Sequence, residues 1–415
     1  MKVQVIAAVY IFLLGADFLV SWFLDILNIN SVIKNKDKIP EFFKDFIDTE
    51  TYKKSSAYTL RKQKFTLLVS VKEILILLII LASGAAGILE NFISNLTENT
   101  FLRSFLYLTA AGGILSLIGF PESLYSIFVI EEEFGFNKQI VKTFFADMAK
   151  SVPLGLALLA ILLLGLHGAI RIFGNYWWLA GWAFWILLQL ILVVIYPVLI
   201  APLFNKFTPL EEGSLKERLS ALAEKSNFPN KGIFVMDGSR RSAHSNAYFT
   251  GFGKLKRIVI FDTLINSLEE EELEAVLAHE IGHWKHGHIR KMILFSFFSS
   301  LILFYILSLI FNFTPFYNAF GVKTPSLHTL LFILSFFIMP LSSLFSPLSN
   351  IFSRKYEYQA DKFAVNAAGN YKPLSNALLK LSRDNLSNLT PHPAYSFWHY
   401  SHPALSERIK AMKQN

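Results

Sequence analysis

Residues 176–203 read YWWLAGWAFWILLQLILVVIYPVLIAPL, a run of 28 positions without one charged side chain. Roughly 20 apolar residues carry a helix across the hydrocarbon of a bilayer, so this run is long enough to span one. Lipid offers the backbone no hydrogen-bond partners, which makes a helix the expected form. Six further runs of the same kind lie at 3–27, 65–89, 105–130, 152–173, 292–313 and 327–352. The run at 3–27 is too long for the apolar core of a secretory leader and no persuasive cleavage site follows it, so it counts as a span. The totals agree with seven spans: of 415 residues, 53% are hydrophobic and 17% charged, with a mean hydropathy of +0.43. These values exclude a disordered chain and argue against a water-soluble enzyme of this length.

With the N-terminus outside, the loops on one side of the seven spans hold 34 Lys/Arg and those on the other side 4, leaving Lys72 inside the second span. The excess marks the cytoplasmic face. The net charge of +8 is therefore mostly topology, and a nucleic-acid partner is not expected. Four stretches result: five helices with cytoplasmic loops (1–204), a folded cytoplasmic segment (205–291), helices six and seven (292–352), and a cytoplasmic C-terminal segment (353–415). The two cytoplasmic segments can meet and share one site. In the first, a polar helix pattern covers 210–225, and β-rich runs follow at 232–236, 246–250 and 256–261. Gly251 and Gly253 supply a turn between the last two, which predicts a small hairpin sheet. Asp17, Asp25, Lys72, Glu73 and Glu122 lie within or at the edges of spans. Asp17 and the Lys72/Glu73 pair sit deepest, so a polar cavity among the helices is expected.

The chain has no cysteine, which removes disulfides, thiol catalysis and Cys-based metal sites, so any metal must be held by His, Asp or Glu. Ser267 and Glu270 have the spacing of a capping box, predicting a helix that starts there and runs through ELEAVLAHEIGHWKHGH to residue 288. It contains an HExxH motif. His279 and His283, four apart, share one helix face and can bind one ion, with Glu280 beside them as the base that activates a zinc-bound water. A catalytic zinc needs a third protein ligand and an open position. Glu357 in RKYEYQADKFA (354–364) is the first candidate, with Asp361 one turn on to orient a ligand histidine through its ring N–H. His286 and His288 are rival ligands.

At this point the chain resembles the CAAX prenyl protease 1 family of integral-membrane zinc metalloproteases. The resemblance rests on HSNAYFTGF (244–252), KRIVIFDTL (256–264), HEIGHWKHGH (279–288), EYQAD (357–361) and FWHYSHPALSERI (397–409), with the shorter KSSAYTL (54–60). It implies a mainly α fold, a seven-transmembrane-helix barrel enclosing a water-filled chamber, with a cytoplasmic zinc metalloprotease domain that contains a small β-hairpin sheet. It also implies one Zn²⁺ per chain on His279, His283 and Glu357, and Glu280 as general base. By the same likeness Asn246 lies on an edge strand that pairs with substrate, and His402 and Arg408 face the tetrahedral intermediate and its oxyanion. Ala404 departs from the family, which often has a second proline there.

The expected activity is endoproteolysis near the C-terminus of prenylated CaaX proteins or peptides by a monomer in contact with membrane lipid. The expected location is the endoplasmic reticulum membrane in a eukaryote or the inner membrane in a bacterium, although the tail KAMKQN carries neither a dilysine nor a KDEL signal. Two other readings use the same residues. A quality-control metalloprotease of the heat-shock type would act on unprenylated membrane proteins but has about four spans, and a seven-helix transporter or receptor would use the metal structurally.

Overall fold

The computed structural model describes residues 1–229, 231–251 and 256–414. The N-terminal half is helical: α1 (Lys2–Asn35), α2 (Thr49–Ser83), α3 (Ala85–Ser94), α4 (Thr100–Tyr125), α5 (Val141–Phe173), α6 (Trp177–Ile195) and α7 (Ala201–Phe204). Local signals set the ends. Asp48 and Asn99 accept the Thr51 and Leu102 amides at 2.9 Å and so cap α2 and α4. Gly84, at φ +63°, stops α2 in the left-handed conformation that favours glycine.

Among the described residues, six helical runs are long and apolar enough to cross a membrane: Lys2–Asn35, Thr49–Ser83, Thr100–Glu131, Val141–Phe204, His288–Ile310 and Leu327–Ala368. The fourth holds two of the seven expected spans. Gly174, at φ +51°, and the 3₁₀ turn Gly174–Tyr176 divide it into α5 and α6, which pack against each other. At Gly165 a Cβ would meet the Phe184 ring at 2.2 Å, so the small residue lets this aromatic ring lie against the backbone. Two π-helical turns, Ser126–Glu131 and Tyr196–Ile200, occur beside Pro121 and Pro197, where proline removes an N–H from the helical ladder. Of the charges inside the spans, Lys72 pairs with Glu122 between α2 and α4.

After α7 come β1 (Phe207–Pro209), α8 (Ser214–Lys225), β2 (Ile233–Met236), β3 (Ala247–Thr250), β4 (Arg257–Phe261), α9 (Asp262–Ser267) and α10 (Glu270–Lys285). The sheet is larger than the expected hairpin. Its order is β1-β2-β4-β3, with β3 antiparallel to β4, β2 parallel to β4 and β1 antiparallel to β2. β1 escapes sequence reading because Phe-Thr-Pro lacks a strand pattern and pairs only through its neighbour. Gly251 sits at φ +92° after β3, and Gly253 lies outside the described residues.

The capping box is displaced from the expected one. Glu269 is the N-cap of α10 and Glu272 its reciprocal partner, whereas Ser267 ends α9 and donates to the Leu264 carbonyl. α10 also stops earlier than expected, at Lys285, because Gly287 takes φ +67°. His288 therefore begins the next helix, α11 (His288–Ile310), followed by α12 (Thr314–Asn318), α13 (Leu327–Ala368), α14 (Lys372–Asp384), α15 (Pro393–His399) and α16 (Leu405–Lys413).

One apolar core joins the sheet to α8, α10, α14 and α16, with Leu219, Ile258, Leu273, Ile281, Ala377 and Ile409 all buried. α13 crosses α10 at Gly282. A Cβ there would lie 3.0 Å from the Ala360 Cα and 3.1 Å from the Ala360 carbonyl oxygen, so glycine permits the two backbones to approach. That crossing places residues 279 and 283 of one helix beside 357 and 361 of the other.

Candidate metal centre

The two histidines of the motif and Glu357 converge. His279 Nε2 is 3.2 Å from His283 Nε2 and 3.5 Å from Glu357 Oε2, and His283 Nε2 is 3.2 Å from Glu357 Oε1. Ligand atoms on a tetrahedral Zn²⁺ with bonds of about 2.0–2.1 Å stand about 3.3 Å apart, so the spacing suits that ion. Glu357 Oε2 is buried without a hydrogen bond; the Arg408 guanidinium stands 3.3 Å from it, and a metal ion on the histidine side would serve it further. The donor set is chemically right for a metal, with two imidazoles and a carboxylate aimed at one point.

The surrounding groups fix these side chains. His279 Nδ1 is 2.9 Å from Asp361 Oδ1, so the ring's N–H belongs on Nδ1 and its lone pair on Nε2. Burial alone would lower the His279 pKa, but the hydrogen bonds that Asp361 and Glu357 accept from its ring raise it to about 9. Arg408 Nε and Nη2 donate to the two oxygens of Asp361 at 2.9 and 2.6 Å, and Nη1 lies 3.3 Å from Glu357 Oε2. The guanidinium is buried, with all three of its nitrogens near these carboxylates, and Arg408 lines a cavity that His402 also borders.

The His402 side chain is 63% exposed, with Nε2 3.4 Å from Glu357 Oε1 and Nδ1 2.9 Å from Ser401 Oγ. Glu280 lines a small, otherwise apolar cavity with Ala247, Tyr248 and Phe249 of β3. Burial is the largest influence on its carboxyl and pushes the pKa up. Among the described residues β3 pairs on one side only, with β4, leaving its outer row of N–H and C=O groups outside the sheet. Asn246 precedes this strand and is exposed; its carbonyl accepts the Phe261 N–H at 3.0 Å and its side chain accepts the Ala247 N–H at 2.8 Å.

Of the rival ligands, His286 lies beyond the cluster, and His288 contacts His283 through the nitrogen remote from it. Sequence reading missed this second contact, for which Gly287 as a helix stop was the available signal. Gly282, which admits α13, was also missed.

Fold and site define an integral-membrane metalloendopeptidase. Residues 28–206 match the family model described as CAAX prenyl protease N-terminal, five membrane helices, and residues 209–415 match peptidase family M48. The chain belongs to the CAAX prenyl protease 1 family. It is 40% identical to the CAAX prenyl protease 1 homolog of Arabidopsis thaliana over 90% of each chain, and 36% identical to that of Homo sapiens over 92% of this chain and 90% of the other. The crystal structure of S. mikatae Ste24p superposes with a TM-score of 0.88 at 34% identity, covering 99% of this chain and 98% of that one.

Proposed function

We propose that this metalloendopeptidase binds one Zn²⁺ through His279, His283 and Glu357 and cleaves near the C-terminus of proteins whose CaaX cysteine carries a prenyl group. The observation that carries the metal reading is the meeting of three donor atoms within 4.8 Å of one another, each backed by a buried partner or aimed at the same point. The substrate reading takes its support from the relatives named as CAAX prenyl proteases, which match nearly the whole chain.

When bound, Zn²⁺ supplies Lewis-acid polarisation of the scissile carbonyl and makes a water more acidic. The chain's own residues do the rest. An extended substrate pairs with the free edge of β3, starting at Asn246, which sets the scissile carbonyl beside the cluster. Glu280 takes the proton from the attacking water as the C–O bond forms, then delivers it to the leaving amine as the C–N bond breaks. His402 donates to the oxyanion that develops. Asp361 holds His279, while Arg408 balances the charges of Asp361 and Glu357.

The membrane arrangement fits seven spans around a chamber, with the 64-residue run Val141–Phe204 crossing twice. Only 6% of the apolar window of Thr49–Ser83 is buried and 33% of that of Leu327–Ala368, which suits helices forming a wall better than a solid bundle. The excess of basic residues around the site-bearing segments favours the cytoplasmic side, and the eukaryotic relatives favour the endoplasmic reticulum. The convergence of His279, His283 and Glu357 within one chain supports action as a monomer.

Purified protein should cleave a farnesylated CaaX peptide and leave the unprenylated peptide largely intact. Equal cleavage of both would replace the substrate reading with that of a general membrane quality-control protease. Glu280→Gln should keep its zinc and lose about 10²–10⁴-fold in kcat, the usual range for a general acid–base group. Unchanged turnover would remove Glu280 from the mechanism.

A further inference from the structure

We propose that His288 is the positioning residue for His283, doing for that ligand what Asp361 does for His279. This rests on the reading of His283 as a metal ligand. Gly287, at φ +67°, ends α10 and turns the chain so that His288, the first residue of α11, folds back on α10. The His288 ring is 1% exposed, with Nδ1 3.0 Å from His283 Nδ1 and Nε2 2.8 Å from Gln359 Oε1. Its face stacks on Tyr356 at a centroid distance of 4.1 Å and 14° between planes. Tyr356 and Gln359 flank Glu357 on α13, so the ligand-bearing turn also holds this ring.

One assignment of protons satisfies these contacts. A His283 that offers its Nε2 lone pair to a metal carries its proton on Nδ1. That N–H donates to His288 Nδ1, which must then be the acceptor. His288 accordingly bears its own proton on Nε2 and donates it to Gln359 Oε1. The alternative tautomer would set two N–H groups against each other at 3.0 Å, or leave two lone pairs facing. The chain of bonds thus runs from His283 through His288 to the Gln359 amide oxygen, each group fixing the tautomer of the next. The two ligand histidines are held differently, His279 by an anion and His283 by a neutral ring.

The test is zinc release from purified full-length protein to a chelator, with thermal unfolding of the metal-free form measured alongside. His288→Phe keeps the ring that stacks on Tyr356 but has no acceptor, whereas His288→Asn restores one, since its amide oxygen falls near the place of Nδ1. His288→Phe should release zinc about 10–100-fold more readily than the native protein, the usual cost of losing such a partner. His288→Asn should recover most of that loss, even though the smaller side chain gives up the stacking on Tyr356 and lowers the metal-free Tm at least as much as phenylalanine does. In whatever zinc-loaded fraction remains, KM should be unchanged. Native zinc retention in His288→Phe would overturn the proposal, as would equal loss of zinc in both variants, which would assign His288 to packing alone. His279→Ala separates the underlying reading: if that variant still bound one zinc, the ligand set itself would be wrong.

Discussion

Arg408 shows how charge is arranged around the site. Glu357 and Asp361 lie one helical turn apart, 5% and 2% exposed, and two carboxylates so placed need a counter-charge. The guanidinium provides it with two hydrogen bonds to Asp361 and a contact to Glu357. Replacing Arg408 by Gln leaves a buried charge uncompensated, which costs about 3–5 kcal/mol in such pairs. Thermal unfolding of the metal-free Arg408→Gln protein should show a clearly lower Tm than native, and an unchanged Tm would mean that the carboxylates find another partner. The HExxH triplet His279, Glu280 and His283 was legible from spacing, since a helix puts positions four apart on one face. Glu357 lies 74 residues beyond His283 in the chain, so no local rule could choose it over His286 and His288. The orientation of Arg408 was not legible either, because it depends on which acceptors lie within reach after α16 docks.

At the scale of the element, the site is the crossing of α10 and α13. Glycine at 282 is read in sequence as a weak helix former, yet here it removes the Cβ that would strike the Ala360 backbone at 3.0–3.1 Å. Gly282→Ala should push the helices apart, destabilise the protein by about 1–3 kcal/mol as over-packing does, and weaken zinc retention together with stability. Thermal unfolding and zinc content of the same sample would check this, and a variant as stable and as well loaded as native would show that α13 can shift freely. Helix existence was readable from apolar runs, but helix ends were not. The α10 cap moved from Ser267 to Glu269 because α9 takes Ser267 for its own last turn, and the helix stopped at Lys285 because Gly287 adopts a left-handed φ. β1 was hidden for a related reason, since three residues have no period and acquire strand geometry only through β2.

For the whole molecule, the absence of cysteine makes topology directly measurable. A single cysteine placed at Lys225 in α8 should react with a membrane-impermeant maleimide only from the cytoplasmic face of sealed vesicles, and one at Arg171 near the end of α5 only from the opposite face. Labelling of both from the same side would refute the crossing pattern. By itself the sequence determined the membrane-spanning character, the helical runs, the absence of thiol chemistry and the HExxH centre, because hydrophobic length and helical periodicity are local properties of the chain. The break at Gly174 between two spans was readable too, whereas only tertiary structure decided that the hairpin grows into a four-stranded mixed sheet and which distant residues surround the histidines. Those outcomes depend on close approach between segments far apart in sequence, at Gly282 against Ala360 and at His288 against Gln359, and such contacts have no periodic signature.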